Sequence, residues 1–312
     1  MNKKTVLLTG ATGFVGSHIV ENLIKDGHNV IVLRLKGSKT DLWRLEEFLD
    51  VISFYEVDDE SLERAFSENE IDCVMHLATH YVKNHSELEE VASMLDVNVK
   101  FPVKLLELCV RNGVKNFINT GSFFEYKMKD SPIKEGDEFL AYNFYAATKL
   151  ALIEFLKSYA SNSGINVIDF KLSAPFGEKD NDKLINFLIK TNISGESVDF
   201  SGGEQQWNYT YVKDVANAFV DGLNKIDEMR GYNFFNLGYN KVYSIKDIAS
   251  EIEKISGKKM NINWGAKPYI DNEIFYANCD NSKVKKELGW APEYSLEIGL
   301  KNTYKYIADN LK

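Results

Sequence analysis

Six short apolar runs recur along the first half of the chain, at residues 6–8, 29–35, 51–57, 71–78, 116–120 and 165–173, separated by polar or helix-periodic segments. Runs this short that stay apolar without a two-residue alternation suit strands covered on both faces, with the intervening helices as the cover. The pattern predicts an α/β fold with a doubly wound parallel sheet. Helical periodicity follows the first run at 17–26. It also spans 88–111, where Pro102 is expected to break or kink the helix. A long apolar helix begins near residue 145, marked by Leu150, Ile153 and Leu156. Beyond residue 175 the pattern loosens: 182–191 reads as helix, 198–200 as a short strand, and 212–237 as a segment returning to the sheet. The nominal division is a larger unit, 1–175, and a smaller, interleaved C-terminal unit, 176–312.

The first strand runs into a glycine-rich turn and then a helix. Gly10 lets the chain turn sharply, Gly13 lets backbone approach a ligand closely, and Gly16 lets the helix pack on the sheet. The unsatisfied N–H groups of a helix that starts here suit a pyrophosphate. In a dinucleotide fold, the tip of the second strand, about 20 residues past the glycines, meets the adenosine ribose, and an acid there binds the 2′-hydroxyl. This chain has Arg34 at that point, with Lys36 and Ser38 close behind. A cation with neighbouring donors suits a 2′-phosphate, so NADP(H) is expected, with NAD(H) as the alternative.

The turn reads T-G-x-x-G-F-x-G from Thr9 through Phe14 to Gly16, and in this form it resembles the nucleotide end of the extended short-chain dehydrogenase/reductase family, epimerase/dehydratase type. The resemblance implies a Rossmann sheet and a cofactor shell. Besides Gly10, Thr12, Gly13, Phe14, Val15 and Gly16, that shell takes Glu56 (or Asp58) and Val57 near the adenine, Leu77, Ala78 and Thr79 at an H-x-A-like turn, Asn98, and Pro175. Asn98 matches a family asparagine that steadies the active-site backbone. Two long helices, near 90–111 and 145–160, would pair with a second subunit as a four-helix bundle.

The candidate chemistry sits after the fifth run. Ser122 stands at a strand end, and Tyr145 and Lys149 follow as Y-x-x-x-K on one helix face, so that phenol and ammonium can reach the same ligand. Serine, tyrosine and lysine in this order form the family's catalytic signature. A phenol of pKa ~10 needs about 4 kcal/mol to fall by three units, roughly what an ammonium at ~4 Å supplies at an effective dielectric of ~20. The expected roles are proton transfer for Tyr145, a hydrogen bond to the reacting oxygen for Ser122, and ribose binding with electrostatic tuning for Lys149.

Tyr81, Phe123, Phe124 and Trp207 are expected beside a nucleotide-sugar substrate. Family members that dehydrate sugars carry Asp-Glu where this chain has Phe123-Phe124, which argues against a 4,6-dehydratase. The family also grips the substrate diphosphate with two arginines, at the positions of Trp207 and Ile270 here; Lys179, Lys183 or Lys267 are the candidate substitutes. Lys171 stands where arginine is usual. The segments around Arg34, Ser122 and Tyr145 look most like the 4-ketoreductases that make CDP-paratose and related deoxysugars. The expected reaction is reduction of a nucleotide-linked 4-keto deoxysugar. The alternatives are an NAD-dependent 4-epimerase and a non-catalytic dinucleotide-binding sensor or scaffold, although the latter usually lacks the tyrosine or lysine kept here.

Composition narrows the partners. Across 312 residues, 37 basic side chains face 46 acidic ones for a net charge of −9, which argues against nucleic acid or an anionic membrane surface. No run approaches the ~18 apolar residues of a membrane span, and a cytoplasmic enzyme is expected. Cys73, Cys109 and Cys279 lack metal-ligand spacing and read as free thiols; no metal is expected. His76 reads as a packed strand residue, His80 and His85 as loop residues.

Overall fold

The protein is described by a computed structural model covering residues 3–35, 42–82 and 87–311. Six strands enter the main sheet from the first half of the chain: β1 (Thr5–Thr9), β2 (Asn29–Arg34), β3 (Ser53–Glu56), β4 (Cys73–His76), β5 (Asn116–Ser122) and β6 (Asn166–Leu172). A seventh, Tyr232–Leu237, pairs with β6, giving the order Tyr232–Leu237, β6, β5, β4, β1, β2, β3, all parallel. The order reverses between β1 and β4. A crevice therefore opens beyond their C-terminal ends, where α/β sheets bind ligands.

Alternation along β1 shows why both faces are covered. Val6 and Leu8 pack with Ile19 and Leu23 of helix α1 (Phe14–Lys25), whereas Leu7 points the other way to Val74, Leu105 and Leu152. Helices α2 (Asp59–Ser67), α3 (Leu88–Leu95), α4 (Phe101–Asn112) and α5 (Phe144–Ser163) precede β6. Helix α6 (Leu184–Ser194) packs its Leu188 and Ile189 with Ile248, Ile252 and Leu300 of two later helices, Ile245–Ser256 and Leu296–Asn310, as a separate cluster. Helix α7 (Val212–Lys225) returns to pack on α1.

Pro102 does not break its helix. The path continues from α3 through a π turn, Asp96–Lys100, into α4, where the Phe101 N–H reaches back to the Asp96 carbonyl. Pro102 thereby falls in the first turn of α4, where a missing N–H costs least. Element ends also shift: α1 begins at Phe14 rather than 17, β3 at Ser53 rather than 51, and the short strand near 198 is Ser197–Asp199. No helix among the described residues is long and apolar enough to cross a membrane. All three cysteines are buried and free.

Candidate active site

At the β1 to α1 turn, Gly10 has φ +72°, and a Cβ there would lie 2.7 Å from the Ala78 nitrogen. A Cβ on Gly16 would fall 2.2 Å from the Gly10 carbonyl oxygen, and one on Gly13 3.1 Å from it. Gly13 precedes α1 and has no side chain to cap it, so the first N–H groups of the helix stay open to a ligand. This close backbone approach fits a dinucleotide pyrophosphate.

Thr9 fixes the neighbouring strand end. Its Oγ1 accepts the Leu77 and Ala78 N–H groups, both at 3.1 Å, and lies 2.9 Å from His76 Nδ1. With both N–H groups as donors, the hydroxyl proton goes to Nδ1, and the ring proton belongs on Nε2. Burial drives His76 down to about 3, so the ring is neutral, packed by Phe101 and Phe117. It is a packing residue.

The crevice holds a cavity of about 1270 Å³. Gly10, Thr12, Gly13, Phe14, Val15 and Gly16 line one part of it. Arg34, Val57, Leu77, Ala78, Thr79 and Pro175 also face it. Lys36 and Ser38 lie outside the described residues, as does His85. Glu56 is off the wall; it pairs in register with Arg34, whose guanidinium stands 3.9 Å from the carboxylate and 5.5 Å over the Phe54 ring.

Asn98 is likewise behind the wall and fully buried, projecting from the π turn. Its amide donates to Thr148 Oγ1 (2.9 Å) and the His80 carbonyl (2.9 Å), and its oxygen accepts from the His80 N–H (2.8 Å) and Thr79 Oγ1 (3.1 Å). Four hydrogen bonds fasten the loop after β4 to α5 beside Tyr145. A π turn supplies this placement because it rotates one residue out of the α-helical register.

Ser122 ends β5 and caps the short turn Phe123–Glu125: its Oγ accepts the Phe124 N–H at 3.2 Å, leaving its proton for another acceptor. Tyr145 stands in the first turn of α5, capped by Asn143, with Tyr81 edge-on at 4.9 Å. Lys149 is buried one turn on. Its ammonium donates to the Thr120 carbonyl at 2.9 Å and lies 5.8 Å from the Tyr145 ring centroid. Burial pushes the Tyr145 phenol up to about 12, with the Thr79 and Ser122 hydroxyls pulling it part of the way back. Burial also brings Lys149 down to about 8. In the protein alone the lysine does not make the tyrosine acidic; the tyrosine is a protonated donor throughout the neutral range.

Aromatic rings form a further part of the cavity wall. Phe124 meets Tyr142 at 5.5 Å and Trp207 at 5.8 Å, and the indole N–H is taken by the Ile274 carbonyl at 2.9 Å. Phe123 also touches the cavity but packs mainly into the core on Tyr126. Lys183 and Arg34 are the cations on its wall among the described residues. Asp180 sits 4.0 Å from Lys183, its carboxyl pushed up to about 6 by burial. A smaller cavity of about 270 Å³ adjoins, sharing Ile270 and Glu273 and lined by Lys267. Lys179 instead donates to the Arg44 carbonyl.

Sequence reasoning missed the residues behind Ser122. Glu125 takes the Ser122 N–H at 2.7 Å and binds Lys171, which also binds Asp169 at 2.6 Å. Two signals were available: Ser122-x-x-Glu125 has the capping-box spacing, and Asp169 and Lys171 are charges two apart, hence on one strand face, inside an apolar run. Among the described residues no cluster of three or more metal-ligating side chains exists.

A family model described as the NAD dependent epimerase/dehydratase family matches residues 6–238. The chain is 30% identical to the CDP-abequose synthase of Salmonella muenchen over 305 residues, 96% of this chain and 97% of that protein. It is 26% identical to the UDP-glucose 4-epimerase of Bacillus subtilis, covering 98% and 97%. Among solved structures, the UDP-glucose 4-epimerase of Thermotoga maritima with UDP-glucose superposes with a TM-score of 0.88 at 28% identity, covering 99% of this chain and 100% of that one. The UDP-glucuronic acid 4-epimerase of Bacillus cereus with UDP-glucuronic acid and NAD gives 0.87 at 26%, covering 98% and 99%.

Proposed function

The chain belongs to the NAD-dependent epimerase/dehydratase family and is an enzyme of the extended short-chain dehydrogenase/reductase type, and from that premise we propose that it reduces the 4-keto group of a nucleotide-linked deoxysugar with NADPH. The observation that carries this reading is the meeting of Ser122 and Tyr145 on one cavity wall, backed by Lys149, with Arg34 on the same cavity. The match to a CDP-abequose synthase along nearly the whole chain supports a deoxysugar substrate.

A bound nicotinamide would supply the hydride. Tyr145 gives its proton to the forming alkoxide, and the Ser122 hydroxyl, already accepting from Phe124, donates to the same oxygen. Lys149 spends one ammonium proton on the Thr120 carbonyl and keeps two for the nicotinamide ribose. The glycine turn would hold the cofactor pyrophosphate and Arg34 a 2′-phosphate. Phe124, Tyr142 and Trp207 present ring faces to the sugar, whose missing hydroxyls suit an apolar wall. Lys183 and Lys267 are the cations available to the substrate diphosphate in place of arginines. Exposed Leu88 and Leu95 on α3 and Phe144 and Phe155 on α5 suit a homodimer through a four-helix bundle, testable by light scattering.

The epimerase matches support a second reading, an NAD-dependent 4-epimerase, in which Glu56 offsets Arg34 at the ribose. One assay separates the two. The purified enzyme is given NADPH and CDP-linked 4-keto deoxysugars, and separately UDP-sugars without added cofactor. Stoichiometric NADPH consumption supports the reductase; UDP-sugar interconversion without net cofactor use overturns it.

A further inference from the structure

Three consecutive residues of β5 tie the reaction centre to a cluster of charges sealed in the core. The Thr120 carbonyl accepts the Lys149 ammonium at 2.9 Å. At Gly121 a Cβ would fall 2.8 Å from both the Lys171 Nζ and the Asp169 Oδ1, so only a residue without a side chain lets these groups lie against the strand. The Ser122 N–H donates to Glu125 Oε1 at 2.7 Å. Lys171 joins the two carboxylates, to Glu125 Oε2 and at 2.6 Å to Asp169 Oδ2. Asp169 is completed by Asn119 (2.9 Å) and the Tyr232 hydroxyl (2.8 Å), and Phe139 and Phe234 flank the ammonium. The side chains of all three charged residues have no exposed surface.

Burial and the neighbouring Asp169 push the Glu125 carboxyl up, while the Lys171 ammonium and the Ser122 N–H, one on each oxygen, favour its carboxylate form. Two carboxylates and one ammonium then leave a net single negative charge beside Lys149. Such clusters add little stability over an apolar packing of equal volume, so this one calls for another account. We propose that Glu125, braced by Lys171 and Asp169, is a positioning residue for proton transfer: it fixes the Ser122 backbone and supplies the buried negative charge against which Lys149 stays an ammonium. This rests on the reading of Ser122, Tyr145 and Lys149 as the proton-transfer groups.

The groups facing Lys149 are the Thr120 carbonyl of β5, Tyr145 on its own helix, the neutral His76 of β4, and the cluster itself. Of these, Glu125 and Asp169 favour the ammonium and Lys171 opposes it. Tyr145 faces Thr79, Ser122, Tyr81 and Glu125, whose charge favours the protonated phenol. Removing the Glu125 charge therefore makes both Lys149 and Tyr145 give up their protons at lower pH.

The test is Glu125→Gln, which keeps an oxygen for the Ser122 N–H and removes the charge. Lysine side chains are titrated by heteronuclear NMR in the wild type and the variant, with the Lys149 signal assigned by its loss in Lys149→Met. The expected result is a Lys149 midpoint lower by about one unit, a tenfold change in acidity. The alkaline limb of kcat should move the same way. Asp169→Asn, which removes an equal charge without touching Ser122, should shift the midpoint in the same direction and serves if Glu125→Gln fails to fold. An unmoved midpoint in a folded variant, with kcat lowered equally at every pH, is the signature of a purely structural role and overturns the proposal. The titration needs no substrate, so a shifted midpoint in an enzyme inactive on every keto sugar would sink the proposed reaction and leave this inference standing.

Discussion

Arg34 and Glu56 stand opposite each other in the register of β2 and β3, guanidinium and carboxylate 3.9 Å apart, at the edge of the large cavity. The separation is too long for a hydrogen bond, and both side chains are about one third exposed, so the pair holds Arg34 loosely. A 2′-phosphate would meet an available guanidinium. Arg34→Ala should weaken NADPH binding by about 1.5–3 kcal/mol and leave NADH nearly unchanged, as read by fluorescence titration of both cofactors. Equal losses for the two would remove the specificity argument.

Tyr145→Phe keeps the ring against Tyr81 and removes the proton donor. Turnover should fall by roughly 10² to 10⁴ while cofactor affinity holds. Turnover at the wild-type level would show that the proton comes from elsewhere.

Gly16→Ala places a methyl 2.2 Å from the Gly10 carbonyl oxygen, a backbone atom that cannot swing aside. The turn must open, at a cost on the order of 1–3 kcal/mol. Thermal unfolding should show a lower midpoint, and the dinucleotide should bind more weakly. An alanine variant as stable as the wild type would mean that the turn is less tightly packed than described.

Asp180 carries a folded-state pKa of about 6 against an ordinary value of 3.8, with burial as the main cause. The folded state thus holds this proton more tightly than the unfolded chain. The group's contribution is most favourable below the unfolded value and is lost as pH rises through about 6. Asp180→Asn should raise stability at pH 7 by up to about 3 kcal/mol and change little at pH 4. Denaturant midpoints at the two pH values check the sign; a gain at pH 4 alone would reverse it.

What the sequence made legible was local. The glycine turn, the strand runs and the spacing of Tyr145 and Lys149 are set by neighbours a few residues apart, so composition and periodicity reveal them. The fate of Pro102 was not legible, because whether it interrupts a helix or opens one depends on a π turn whose buried asparagine bonds to α5 and to the loop after β4. Phe123 and Phe124, adjacent and alike, divide between core and cavity because consecutive residues face different ways, and only the packed structure says which. The charge cluster escaped because Glu125 and Lys171 are 46 residues apart in the chain. The Lys149 bond to the Thr120 carbonyl escaped for a related reason: one helix turn places Lys149 and Tyr145 on a common face, but a strand 29 residues upstream decides where the ammonium points.

The strand Tyr232–Leu237 bonds along β6 from Val167 to Leu172, all but its first residue. A fragment truncated after Pro175 would leave that edge bare, with a row of unpaired N–H and C=O groups flanked by Phe170 and Ile168. Edges of this kind recruit strands from other molecules. Expression of residues 1–175 alone should therefore give aggregates rather than a small cofactor-binding protein. On the ribosome, too, the sheet must wait for some sixty further residues before its outer strand arrives, which makes the nascent chain most vulnerable to misassembly at that stage.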